Sequence, residues 1–334
     1  MDLVTQGVLG ATLALSAAPQ EETRIAAAVG FGAGLLADAD ILIGSSADPL
    51  LALEYHRHFT HALAFVPIGA LIAAALLWPL LRKRIGFPRL YLYCLLGYAF
   101  SGLLDACTSY GTHLFWPFSE QRIAWSVIAI VDPLFTLLLA VPLALGVIRQ
   151  RARAAQAGLA LAACYLVLGL LQQGRAESAA QALAEKRGHR PERMLVKPTI
   201  GNLVLWRSIY VVNGRAYADG IRVGTGAAKI YPGASTALLE VKRDLPSVSS
   251  GSKAAADTAR FIAFSDGYAA LHPARPDFVG DVRYAMLPDS VEPLWGIRID
   301  GAAPDITVRF VTDRALTPSM RRRFIRMLLG EDAA

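Results

Sequence analysis

The sequence predicts a polytopic α-helical membrane domain over residues 1–171. A helical or polar linker at 172–195 and a soluble α+β domain, rich in β-structure, over 196–334 follow it. Three observations carry this reading. The mean hydropathy is +0.40 and only 18% of residues are charged, too apolar for a chain wholly in water. Residues 1–171 hold 10 Lys/Arg and 10 Asp/Glu, whereas 172–334 hold 23 and 17, so the second half carries the whole net charge of +6. The apolar pattern also changes, from long continuous runs in the first half to short alternating runs in the second.

Six apolar runs mark the first half: Leu3–Ala18, Ile25–Ile43, Ala62–Leu81, Leu90–Cys107, Val127–Ile148 and Gln156–Leu171. A hydrocarbon core needs roughly 20 residues of helix, which the last four reach or approach; the first is short. This predicts five or six hydrophobic helices. Gly30, Gly32 and Gly34 give the second run a spacing suited to close helix contact. Met1-Asp2 opens the chain without a basic stretch, so no cleaved signal peptide is expected. Cys94, Cys107 and Cys164 lie in or beside apolar runs without CxxC spacing and are expected to be packing residues.

Basic residues set an expected orientation. Arg82, Lys83, Arg84 and Arg89 follow the third run, and Arg149, Arg151 and Arg153 follow the fifth, which places both loops in the cytoplasm. The Asp38–His61 loop, the Asp105–Asp132 loop and the C-terminal half then face the periplasmic or extracellular side.

Those outer loops hold the polar residues that the apolar half otherwise lacks: Asp38-Ala39-Asp40, His56-Arg57-His58-Phe59-Thr60-His61, Asp105, and His113 with Asp132. Acidic and imidazole groups at a membrane face need a partner. Carboxylates with imidazoles suit a borderline divalent ion, zinc foremost, with manganese or iron as alternatives. His58 and His61, three apart at a helix start, can share a face. The spacing equally admits a structural network. Asp40 can cap a helix or pair with Arg57, Thr60 can be an N-cap, Asp132 can cap the helix opened by Pro133, and His113 can be an interfacial hydrogen-bonding group.

Taken in order, these motifs resemble a family. Met1-Asp2-Leu3-Val4-Thr5-Gln6 with Gly10, Asp38-Ala39-Asp40, the His56–His61 run, Asp105, Ser109-Tyr110-Gly111-Thr112, Trp116-Pro117-Phe118-Ser119 and Ile130-Val131-Asp132-Pro133 look like the YdjM-like family. These are bacterial inner-membrane proteins described as metal-dependent hydrolases. The likeness covers about the first 140 residues, and more weakly the stretch around Gly280-Asp281-Val282-Arg283-Tyr284. It implies a multi-pass protein of the bacterial inner membrane with Asp38, Asp40, His56, His61, Asp105 and Asp132 as its functional polar set. Where relatives often carry histidine this chain has Gln6, and near Asp105 it has Ser101 and Gly102. Position 58 is His where relatives more often have Gly, so His58 and His113 are candidates to stand in as ligands.

The expected chemistry is hydrolysis by a metal-activated water, with Asp38, Asp40, His56, His61 and Asp105 as ligands. Asp105 is the candidate proton acceptor, and Arg57 the group that steadies negative charge on the substrate. Membrane lipid is the expected partner, and a lipid or lipid-linked ester or phosphoester the expected substrate. The alternative is a non-enzymatic membrane protein whose Asp/His cluster is structural or binds a partner. Ser101 and Ser109 lack a His–Asp arrangement for serine chemistry, and no phosphate-loop or dinucleotide motif occurs.

In the second half, strands are expected at Leu203–Val212, Ala216–Val223, Ala237–Val241, Val282–Leu287, Gly296–Ile299 and Ile306–Val311. Helices are expected at Ser252–Phe264 and Pro318–Leu329, the latter capped by Thr317. Arg321, Arg322, Arg323 and Arg326 on the last helix fit a solvated or lipid-facing surface better than a nucleic-acid site. The sequence leaves oligomeric state open.

Overall fold

The computed structural model describes residues 1–301 and 306–332. Residues 302–305 and 333–334 of the expected second domain therefore lie outside the described residues. The chain has a helical N-terminal region followed by antiparallel sheets. It divides into two compact units: residues 1–43, 55–171 and 200–203 form one, and 44–54, 172–199 and 204–334 the other.

In chain order the helices of the first half are α1 (Leu3–Ser16), α2 (Thr23–Leu36), α3 (Leu51–Tyr55), α4 (Val66–Leu81), α5 (Phe87–Ala99), α6 (Ser101–Ala106), α7 (Pro133–Arg149) and α8 (Ala152–Lys186). Asp2 caps α1 by accepting from the Thr5 backbone N–H at 3.1 Å. Asp132 does the same for α7, accepting from Phe135 N at 3.1 Å, with Pro133 at the first helical position. Helices α1, α2 and α5 approach closely because glycine lines their contact. A Cβ at Gly10 would collide with the Gly30 carbonyl, and one at Gly34 would lie 2.7 Å from the Gln6 carbonyl, while Gly32 faces open space. The Gly30–Gly34 pair is thus the part of the glycine pattern that packs. Around it Ala14, Val29, Ala33, Ala70, Leu90, Tyr93 and Tyr98 are buried in one cluster.

Among the described residues, three helical stretches are long and apolar enough to cross a membrane: Gln20–Leu42, Leu63–Leu81 and Ala152–Lys186. Leu3–Ser16 and Pro133–Arg149 are shorter apolar helices. Exposed Ile68, Leu71, Leu76 and Leu80 on α4, with Leu137, Val141 and Ile148 on α7, form the apolar exterior that lipid contact requires. Two expected segments differ in detail. The run Leu90–Cys107 breaks at Phe100 into α5 and α6. The run starting at Val127 becomes helical only at Pro133, because Val127 and Ile128 instead donate to the Cys107 carbonyl. The expected linker is mostly helix, since α8 continues to Lys186.

The second unit holds two antiparallel sheets. Strands β1 (Arg193–Pro198), β2 (Leu205–Val212), β3 (Arg215–Arg222) and β4 (Lys229–Tyr231) run in that order, and β5 (Ser235–Ala237) pairs with β3. Two helices follow, α9 (Val241–Asp244) and α10 (Lys253–Phe264). Then β6 (Ala269–His272), β7 (Arg275–Asp281), β8 (Trp295–Asp300) and β9 (Thr307–Thr312) form a meander, and α11 (Pro318–Leu329) closes the described chain. Ser252 and Thr317 cap α10 and α11.

The strand expected at Val282–Leu287 is an irregular loop. Buried Arg207 from β2 takes up its carbonyls in place of a neighbouring strand: Nη2 donates to Val282 O at 2.7 Å, and Nη1 to Pro288 O at 2.8 Å and Ser290 O at 2.7 Å. One guanidinium thereby replaces a ladder. The strand expected at Ala237–Val241 ends at Ala237, and Val241–Asp244 coils into α9, where the Asp244 carboxylate accepts from Glu240 N. Strand β1 escaped sequence reasoning because buried Lys197 breaks its apolar alternation.

Candidate metal centre

The centre is assembled by three short turns of the helical unit. Helix α2 tightens at its end into a 3-10 turn, Ala37–Leu42, which carries Asp38 and Asp40 inward, and both are buried. The chain returns through His56–His61, whose last three residues form a second 3-10 turn. Helix α6 then presents fully buried Asp105. Gly102 on that helix lets it lie against the His61 turn, since a Cβ there would collide with the His61 carbonyl.

Asp40 organises the return. Its Oδ2 accepts from Arg57 N at 2.7 Å and from Thr60 Oγ1 at 2.9 Å, and its Oδ1 lies 3.0 Å from His56 Nδ1. Arg57 has φ 59°, a left-handed conformation unusual for a side-chain-bearing residue. The Asp40 bond holds it on one side. On the other, its carbonyl accepts from Thr112 Oγ1 at 2.9 Å and His113 N at 3.2 Å. Thr60 is therefore part of the turn itself and not the helix cap that is one sequence reading.

These bonds settle which nitrogen of His61 carries a proton. The Thr60 hydroxyl has one hydrogen, and it goes to Asp40, which as a carboxylate only accepts. The Thr60 oxygen, 3.0 Å from His61 Nδ1, must then accept from it. In the neutral ring Nε2 then keeps the lone pair, 3.0 Å from Asp105 Oδ2 and 3.5 Å from Asp38 Oδ1. Nε2, Asp105 Oδ2 and Asp38 Oδ2 are all buried without a hydrogen-bond partner. The 3.0 Å separation is thus a close approach outside hydrogen-bonding angles. With the ring neutral, the Nε2 lone pair and Asp105 Oδ2 crowd together away from water, and a cation between them would relieve a repulsion that Arg57, on the far side of Asp105, offsets only in part.

One donor atom from each of Asp38, His61 and Asp105 lies within 4.8 Å of the other two, and Asp38, Asp40 and His56 form an overlapping group of the same kind. Two nitrogens and three carboxylates, sharing Asp38, are a fitting donor set for one or two borderline divalent ions. Of these residues His56 is the most open, its side chain 30% exposed and its ring 5.4 Å from that of Tyr110.

Arg57 completes the centre from behind. Its Nε lies 3.0 Å from Asp105 Oδ2, Nη1 donates to Thr108 Oγ1 at 3.2 Å and Nη2 to Met1 O at 3.0 Å. The Met1 amino group contacts Asp105 Oδ1. Arg57 is buried, so its guanidinium holds Asp105 and is not placed to meet a substrate from solvent. Gln6 reaches the same region: its amide donates to Ser101 O at 3.3 Å, and its Oε1 and Ser101 Oγ lack hydrogen-bond partners.

The remaining candidates lie elsewhere. His58 and His61 do not share a face, because no helix has begun there; His58 turns to His113, ring centroids 4.5 Å apart. Asp132 is taken by the α7 cap and by Tyr165, whose hydroxyl donates to it at 2.8 Å. Thr60, read from sequence only as a possible helix cap, Thr112, read only as part of a motif, and Thr108, passed over, are positioning residues. Their signal was slight, a threonine beside each charged motif.

A family model described as YdjM inner membrane protein matches residues 1–176, a span that contains every residue of the centre. No match was found among curated proteins or among solved structures.

Proposed function

Because the chain belongs to the YdjM inner membrane protein family, we propose that it is a membrane-bound, metal-dependent hydrolase. It acts at the outer face of the inner membrane on a lipid or lipid-linked ester or phosphoester. The observation that carries this reading is the convergence of buried His61 Nε2, which makes no hydrogen bond, on Asp105 Oδ2 at 3.0 Å and Asp38 Oδ1 at 3.5 Å. Asp38, His61 and Asp105 hold one ion, zinc foremost, and Asp40 and His56 join Asp38 around it or a second. Such an ion supplies a water of lowered pKa, toward neutrality.

The residues divide the remaining work. Asp105 is enclosed by Arg57 and the Met1 amino group, so it is a ligand and not the base that the sequence favoured. When only the ion held by Asp38, His61 and Asp105 is bound, His56, oriented by Asp40 and partly open to solvent, keeps a lone pair and is the better proton acceptor. Arg57 is a positioning residue that holds Asp105 beside His61. The multi-pass topology and outer-face orientation rest on the basic loops at 82–89 and 149–153. A purely structural cluster is the second reading, favoured by the Arg57–Asp105 and His56–Asp40 pairs that need no ion.

Metal content of the detergent-purified protein, wild type beside His61→Ala, tests the reading. We expect about one or two equivalents of a transition metal at this centre, as the overlapping groups sharing Asp38 allow, with that share reduced in the variant and hydrolysis of lipid esters or phosphoesters that follows it. Absence of metal at this centre after reconstitution with zinc, manganese and iron would leave the structural reading.

A further inference from the structure

The helical unit contains a second convergence of ligand-type side chains that the Asp38 centre does not use. His58 lies on the 56–61 return, and His113 and Glu120 lie on the loop between α6 and α7. The two imidazole rings are 4.5 Å apart at 41°. Glu120 Oε2 is 3.6 Å from His58 Nε2. One donor atom from each of the three lies within 4.8 Å of the others.

The protonation pattern again leaves lone pairs unused. The Glu120 backbone accepts a hydrogen bond from the His113 ring. His113 Nδ1 is buried without a partner, so the proton belongs on Nε2 and Nδ1 presents a lone pair. His58 Nδ1 is likewise buried without a partner.

We propose that His58, His113 and Glu120 form a second divalent-metal site, of zinc type, that shares no ligand with the Asp38 centre. Two imidazoles and one carboxylate are a familiar zinc donor set that leaves a fourth position open. Glu120 is 75% exposed on its side chain and free to close on the ion. Arg122, which faces His113, opposes the added positive charge, and the carboxylate offsets it. Loading the site ties the His56–His61 return to the 113–120 loop, beside the aromatic wall of Phe59 and Trp116. It does not depend on the hydrolase reading.

The test uses full-length protein in detergent, stripped of metal and titrated with zinc against a chromophoric chelator. In the His61→Ala background, with Asp38→Ala added so that both overlapping groups of the Asp38 centre lose a ligand, one equivalent of zinc should still bind. Adding His113→Ala should abolish that binding, and adding Glu120→Gln should weaken it at least about tenfold, the lower range for a lost metal-site interaction. The exposed Glu120 cannot act through misfolding, and circular dichroism checks the His113 variant. No zinc in that doubly substituted background, or binding there indifferent to both further changes, would overturn the proposal. Wild-type protein whose only bound zinc is lost with His113→Ala and kept with His61→Ala and Asp38→Ala together would uphold this site while removing the hydrolase centre.

Discussion

Replacing Thr60 with valine tests the hydrogen-bond logic of the metal centre at nearly constant volume. Thr60 is buried, and its hydroxyl both donates to Asp40 at 2.9 Å and accepts from His61 Nδ1 at 3.0 Å. Valine removes both bonds and frees His61 to adopt the other tautomer, which would turn an N–H toward Asp38 and Asp105. Outer-shell partners of a ligating histidine are worth roughly 10–100-fold in metal affinity, or about 1.4–2.7 kcal/mol. Asp40 keeps its bond from Arg57 N, so the turn persists and the stability cost should stay near 1–2 kcal/mol. Competition with a chromophoric chelator reads the affinity, and thermal unfolding reads the stability. Thr60→Ser, which keeps the hydroxyl, should bind nearly as wild type. Wild-type affinity in Thr60→Val, or equal losses in valine and serine variants, would refute the tautomer argument.

Three further outcomes are expected, all in the second unit. Arg260 pairs with Asp48 and Glu54, at 3.0 and 2.6 Å, and with Asp257 at 3.0 Å. Arg260→Ala should raise hydrogen exchange over residues 44–54, with little effect on global stability because these groups are about one-third exposed; unchanged exchange there would contradict this role. Arg207→Lys should unfold the loop at 282–290 and destabilise the unit by about 3 kcal/mol or more, because one ammonium cannot satisfy carbonyls that a guanidinium holds in several directions. A tryptophan-fluorescence melt coincident with wild type would argue against it. Burial and then the nearby Arg207 charge lower the Lys197 pKa well below its ordinary value. The unfolded chain therefore binds the extra proton, and this residue's contribution falls as pH drops from about 10.5 toward the folded pKa. Lys197→Met should remove that slope and raise stability near neutrality; denaturant titrations at pH 7 and pH 10 that differ equally in both proteins would count against the assignment.

The sequence by itself determined the order of the architecture. Continuous apolar runs cannot be solvated and must become helices in an apolar medium, and alternating runs cut by Gly, Pro and Asp must pair as strands. Two caps were equally legible, because Asp132 and Thr317 act on backbone groups three residues away. The polar residues of the centre could also be named, since charges are scarce in an apolar half. Their grouping was decided only by tertiary structure. His58 and His61 part because the return is a 3-10 turn begun by left-handed Arg57, and only contacts from Asp40 and Thr112 hold that backbone. Asp132 drops out because Tyr165, distant in sequence, takes its second oxygen. The loop at 282–290 fails to be a strand because Arg207 satisfies its carbonyls from another element. Local chemistry fixes helices, strands and caps through neighbours a few residues away. Which polar groups finally meet depends on partners well beyond the local turn, 17 residues apart for Asp40 and Arg57 and 51 for Arg57 and Thr108.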